Sequence, residues 1–196
     1  MSPLSAADVL SGEEYERERD SLRRRVMAIK DRRRVLVGDH CSVHFECRDT
    51  LRYQVLEMLR VERSWDRPDA VEDELAAYNP LLPGDGELSA TVMFEFEAPE
   101  ERGVELAALA GVERHLWLEI GDTPRVLAQF DTRQMSDSKV SSVQFVRWRL
   151  TDAQRKALGT DGVVVRIVID HPHYRAQSVI SEQTRQEIAP DPNAKP

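Results

Sequence analysis

The chain has 196 residues, a formal net charge of −8 and a pI near 5.2, enough length for one sizeable core. With 41% hydrophobic and 32% charged residues it has the balance of a soluble globular protein and not of a disordered one. No apolar run approaches the roughly 18–20 residues that cross a bilayer, the acidic balance argues against non-specific nucleic-acid binding, and Met1–Leu10 lacks the basic start and apolar segment of a secretory signal. The expectation is a cytoplasmic protein with neither membrane nor nucleic acid among its partners.

Residues 1–12 read as a flexible leader. Ser11 followed by Glu14 has the form of a helix capping box. It opens a highly charged helix running to about Arg34, with a thin apolar stripe of Tyr15, Leu22, Val26 and Ile29. Its acids come early, while Arg23–Arg25, Lys30 and Arg32–Arg34 come late, the order that complements a helix dipole and reads as a solvated face. Val35–Val37 and Ser42–Cys47 are short strands about a Gly38-Asp39 turn, with Val43 and Phe45 on one side and His44 and Glu46 on the other. A helix follows at about Thr50–Ser64 with Asp49 as its N-cap and Leu51, Val55, Met58, Leu59 and Glu62 along one stripe. Pro68 begins a shorter helix over 69–77.

Leu88–Glu97 alternates, with Leu88, Ala90, Val92, Phe94 and Phe96 opposite Ser89, Thr91, Met93, Glu95 and Glu97. Pro99 starts a helix that ends near Gly111; His115–Ile120 and Val126–Phe130 form a hairpin; Val140–Leu150 is a further strand. Thr151 caps a brief helix to Leu158, Val163–Ile169 reads as a central strand, Ala176–Ile180 is extended, and a last helix starts at Ser181. Residues 13–188 thus form a single domain, followed by a disordered tail over 189–196. Short turns join the later strands and helices concentrate in the first 80 residues, which predicts an α+β fold with a largely antiparallel sheet.

The stretch His171-Pro172-His173-Tyr174 carries the densest chemistry. In an extended chain its two imidazoles share a face, and proline, lacking a donor, marks a strand edge or end. Imidazole is the commonest protein ligand for transition metals. A two-histidine site needs at least one carboxylate more, and Glu46, Glu57 and Glu95 are the candidates for an iron or zinc centre. Cys41, His44 and Cys47 have Cys-x2-His-x2-Cys spacing, but strand alternation sets His44 opposite both cysteines and no second pair completes four ligands. The two cysteines would lie roughly 20 Å apart along a strand, too far for a bridge, so both are expected as reduced thiols. There is no Gly-x-Gly-x-x-Gly, P-loop, Gly-x-Ser-x-Gly or His-Glu-x-x-His motif. Arg48 and Arg52 sit where a helix N-terminus favours an anion, and Arg60 is spaced to pair with Glu57.

Three stretches, Arg48-Asp-Thr-Leu-Arg-Tyr-Gln-Val-Leu-Glu-Met-Leu-Arg60, Ala77-Tyr-Asn-Pro80 and Asp170-His-Pro-His-Tyr-Arg175, resemble in order and spacing an uncharacterised bacterial family, domain of unknown function 3501. The likeness runs from about residue 13 to 188. The chain departs from the usual pattern at Cys47, where asparagine is more typical, which puts in doubt any site needing that amide. Members of the family are encoded near rubrerythrin-like and iron–sulfur oxidoreductase genes, so the resemblance implies a link to iron or redox metabolism; it supplies no catalytic residues. Three functional readings follow. The first is a metal-binding protein using His171, His173 and one or more of Glu46, Glu57 and Glu95. The second is an accessory subunit, docking on a redox-protein partner through its charged N-terminal helix or pairing as a homodimer. The third is a binder or enzyme for a small anionic metabolite, using Arg48, Arg52 and Glu57 with His171 as acid–base.

Overall fold

A computed structural model describes residues 1–131, 135–136 and 139–194. Its architecture is α+β with antiparallel sheets. The two longest helices, α1 (Gly12–Arg32) and α2 (Arg48–Val61), both precede the sheet's central strands in the chain and pack against each other. The capping box at Ser11 and Glu14 starts α1 as its sequence requires. α2 begins two residues earlier than its pattern suggests: Cys47, not Asp49, is the N-cap, and Thr50 Oγ1 accepts the Cys47 N–H at 3.0 Å. Cys47 is therefore a helix cap, a position where an asparagine side chain would serve the backbone. α3 (Ala70–Tyr78) packs on α2 through Leu51, Val55, Leu59, Ala70 and Leu75.

The strands are β1 (Arg34–Leu36), β2 (Cys41–Phe45), β3 (Glu87–Phe94), β4 (Leu116–Ile120), β5 (Val126–Leu127), β6 (Gln129–Phe130), β7 (Met135–Ser136), β8 (Lys139–Val140), β9 (Val143–Arg149), β10 (Val165–His171) and β11 (Tyr174–Val179). One sheet has the order β1-β2-β3-β9-β6 and the other β11-β10-β4-β5; β7 and β8 form a separate hairpin. The segment holding β5 and β6 passes from one sheet to the other, pairing first with β4 and then with β9. A single apolar core fills the space between the sheets, from Val35 and Phe45 through Leu88, Leu118 and Trp148 to Ile167 and Ile188. At the opposite edges β1 and β11 meet through hydroxyls. Tyr174 Oη donates to the Val37 carbonyl at 2.6 Å and Ser178 Oγ to that of Leu36 at 2.5 Å, while His40 N–H donates to Tyr174 Oη at 3.1 Å. Each sheet edge thereby shields the other.

The later helices are α4 (Pro99–Ala108), α5 (Asp152–Leu158) and α6 (Glu182–Ile188). The chain ends expected to be loose are packed. Leu4 is buried beside Leu51 and Leu59, and its N–H donates to Asn79 Oδ1 at 2.7 Å. In the tail, Asp191 is buried on Arg33, which gives it two hydrogen bonds of 2.7 and 3.1 Å, and the Pro192 carbonyl accepts from Gly86 N–H. Burying Leu4 and pairing Asp191 repay the ordering of these segments; Lys195 and Pro196 lie outside the described residues. Arg32 and Arg33 are likewise turned to α6 and the tail, so the basic end of α1 is only in part a solvated face. Among the described residues no helix is long and apolar enough to cross a membrane.

Candidate functional site

The histidine pair sits on a tight hairpin. β10 runs on through His171, which pairs with Tyr174, leaving Pro172 and His173 as the two-residue turn. His171 is buried with both ring nitrogens engaged: Nε2 donates to the Ala110 carbonyl at 3.1 Å and Nδ1 accepts the His173 N–H at 3.3 Å. A carbonyl only accepts, so the proton is on Nε2. Burial, above all, pushes the pKa of His171 below the ordinary histidine value. A neutral ring with both nitrogens used holds the hairpin and has no lone pair to offer a metal. The His115 ring meets it edge-on at 5.0 Å, with His115 Nδ1 on Asp170 at 2.9 Å.

The acids predicted to join these rings lie elsewhere. Glu57 ties α2 to α1, accepting from Tyr15 Oη at 2.5 Å and from Arg19 at 2.8 and 2.9 Å. The Arg19 guanidinium pulls its pKa down to about 2. The Arg60 partner expected for it pairs instead with Glu16 at 2.7 Å. Arg48 and Arg52 are not a free anion site: Arg48 holds the Asp8 carboxylate at 2.7 Å and Arg52 Nε donates to the Asp8 carbonyl at 2.6 Å. Among the described residues no three His, Cys, Asp or Glu side chains assemble into a metal-holding group, so the convergence of His171 and His173 with Glu46, Glu57 and Glu95 does not form. Cys41 and Cys47 are free and buried, as expected of reduced thiols, and burial pushes the Cys41 thiol up to about 12.

Two of the five candidates, Glu46 and Glu95, take separate partners on another surface. Alternation along β2 and β3 turns Ser42, His44, Thr91, Met93 and Glu95 away from the core. Strand register then aligns Arg34, His44, Thr91 and Phe145 in one row, and Leu36, Ser42, Met93 and Val143 in the next. Helices α1 and α2 face this surface and leave a cavity of about 420 Å³, the size of a small-molecule site. Met27, Leu51, Tyr78 and Phe145 give it apolar walls, and Lys30, Arg34, His44, Glu46, Gln54 and Thr91 bring polar groups.

Within it, both Glu46 oxygens are held by hydroxyls, Thr50 Oγ1 donating at 2.5 Å and Thr91 Oγ1 at 2.6 Å. Ser42 Oγ donates to Glu95 Oε2 at 2.8 Å and lies 3.0 Å from His44 Nε2. Burial, and then the Arg34 charge, lower the pKa of His44 and favour its neutral form. The sequence placed His44, Glu46 and Glu95 opposite the core; only the register between strands reveals that Ser42 bridges two of them. A wider groove of about 710 Å³ lies beside α4, with His40 and His173 among the exposed acids Glu95, Glu97, Glu101 and Glu105.

Comparison with solved structures finds a crystal structure of a novel protein of unknown function from Burkholderia pseudomallei K96243, 36% identical, with a TM-score of 0.90 and coverage of 97% of this chain and 99% of that one. A comparison with curated proteins finds no match. The model of a family described as protein of unknown function (DUF3501) matches residues 3–191. With the family model spanning nearly the whole chain and the same fold in a relative of like length, the chain belongs to the DUF3501 family.

Proposed function

We propose that the protein binds a small anionic metabolite in the cavity between α1, α2 and the five-stranded sheet. One observation carries this reading: Lys30 and Arg34 stand with His44, whose pKa burial lowers, around a partly open pocket of ligand size. Of the other charges there, Asp191 neutralises Arg33 and two threonine hydroxyls hold Glu46, while Arg34 also lies 3.8 Å from Glu95 and Asp31 lines the pocket as well. Lys30 makes no ion pair among the described residues and only leans over the Tyr53 ring, at 5.8 Å. The ligand class is the third one read from the sequence, but the residues are different, because Arg48 and Arg52 are spent on the leader.

A thermal-shift screen of organic acids and phosphate esters tests this. A ligand at one hundred times its Kd adds about 2.7 kcal/mol, a rise of several degrees. The expected result is a stabilising acid whose effect disappears in Lys30→Met and Arg34→Met. Stabilisation that both variants retain would place the ligand elsewhere and overturn the reading.

A further inference from the structure

The protons of the Ser42–His44–Glu95 cluster can be assigned from chemistry alone. The Ser42 hydroxyl has one proton, and an ionised carboxylate only accepts, so the 2.8 Å bond to Glu95 Oε2 uses that proton. The 3.0 Å contact between Ser42 Oγ and His44 Nε2 then requires the imidazole to be the donor. His44 is thereby fixed as the Nε2–H tautomer. Ser42 is fully buried, so its hydroxyl has no solvent partner, while the Glu95 carboxylate is half exposed. Nδ1 of His44 makes no hydrogen bond among the described residues and is not a buried orphan, and the side chain lines the cavity. Its lone pair is free to accept a proton.

We propose that His44 is the general base of this cavity, with Ser42 and Glu95 as positioning residues that keep Nδ1 free to take a proton from the bound molecule. This rests on the cavity being the ligand site. In the step, a proton leaves a C–H or O–H bond of the ligand for Nδ1, and the bonding electron pair stays on the ligand. The imidazolium so formed is supported by Glu95 through Ser42. The ligand's new negative charge is met by Lys30 from α1 and Arg34 from β1 against the carboxylates of Asp31 and Glu46 in the same lining, while Gln54 from α2 and Thr91 from β3 supply neutral hydrogen-bonding groups. The reaction class is proton abstraction from a small acid, as in isomerisation or elimination next to a carboxylate.

Ring opening of 5-nitrobenzisoxazole reads this without knowledge of the natural ligand. A base removes the ring C–H proton, the N–O bond breaks, and a coloured cyanophenolate forms with no oxidant or reductant. The wild-type protein is expected to exceed free imidazole at equal pH, with a loss of about 10²-fold in His44→Ala and a smaller loss in Ser42→Ala. Nitrogen NMR of the histidines is expected to show His44 as the Nε2–H tautomer in the wild type and a mixture in Ser42→Ala, a change that a merely structural serine would not produce. Equal rates in wild type and His44→Ala, or an Nδ1–H tautomer in the wild type, overturn the proposal. Anion-dependent stabilisation that persists in His44→Ala would show the binding reading surviving such a failure.

Discussion

Replacing Asp191 with alanine strips the buried Arg33 of its bidentate partner. Arg33 and Asp191 are 5% and 4% exposed, and the two bonds between them measure 2.7 and 3.1 Å. Arg33 would keep the Glu187 carbonyl at 3.0 Å and lie 3.5 Å from the Glu187 carboxylate, too little to solvate a charge held from water. Removing one partner of such a pair costs about 3–5 kcal/mol, because the other charge remains buried. For a chain of this length that lowers Tm by about 10 °C. Glu16→Ala, which removes the exposed partner of Arg60, is the internal control, with an expected loss below about 1 kcal/mol. Urea unfolding of the two variants, followed by circular dichroism, gives the comparison. The double variant Arg33→Met/Asp191→Leu should recover most of the loss, since matched apolar groups replace the pair without an orphan charge. If Asp191→Ala unfolds no earlier than Glu16→Ala, the tail is not held as described and the reasoning fails.

Glu57 has its carboxyl pulled down to about 2 from an ordinary 4.5. The stability it contributes is therefore fully present above pH 4.5 and disappears as pH falls through about 2. Glu57→Gln should cost about 1–2 kcal/mol at pH 7, discounted for partial exposure, with the gap to wild type closing in acid; a gap constant from pH 7 to 2 would contradict the assignment. Gly38 has φ +71°, and a Cβ there would fall 2.7 Å from Tyr174 Oη and 2.9 Å from Ala176 Cβ. Gly38→Ala should accordingly destabilise by about 1–3 kcal/mol, and amide exchange should locate the damage at β1 and β11. Cys47→Asn places a strong capping side chain at the start of α2 and should raise the urea midpoint, by about 0.5–1 kcal/mol in stability; a lower midpoint would mean that the buried site rejects the amide.

Local features of the chain were readable because their physics is local. Ser11 with Glu14 opens α1, Thr151 caps α5, and the alternation of Val43 and Phe45 against His44 and Glu46 separates core from outer face. Pro172 ends its strand as a residue without a donor must. What stayed hidden depends on partners distant in sequence. Glu57 has a basic residue three positions along its own helix, yet takes Arg19 from the neighbouring one. Asp8 and Asp191 read as tail acids until Arg48 and Arg33 are seen to hold them. His171 resembled a metal ligand because the pattern cannot show the Ala110 carbonyl on its far nitrogen. The cavity residues were individually visible but unassembled, since strand register alone sets His44 beside Ser42 and in line with Arg34.

The contact between β1 and β11 differs in kind from the pairings within each sheet. Elsewhere each neighbouring strand in the two larger sheets is stitched to the next by amides, which part only at the cost of a whole ladder. Here the described stitches are two hydroxyl-to-carbonyl bonds and one amide-to-hydroxyl bond. This seam is therefore expected to open before any ladder does, with the segment holding β5 and β6 still joining the two sheets, and amide exchange along β1 and β11 checks it. The first surfaces laid bare would border Leu36 and Val179, which already face water at the rim. Solvent entering by this route would reach the central apolar layer before any strand is peeled from its neighbour.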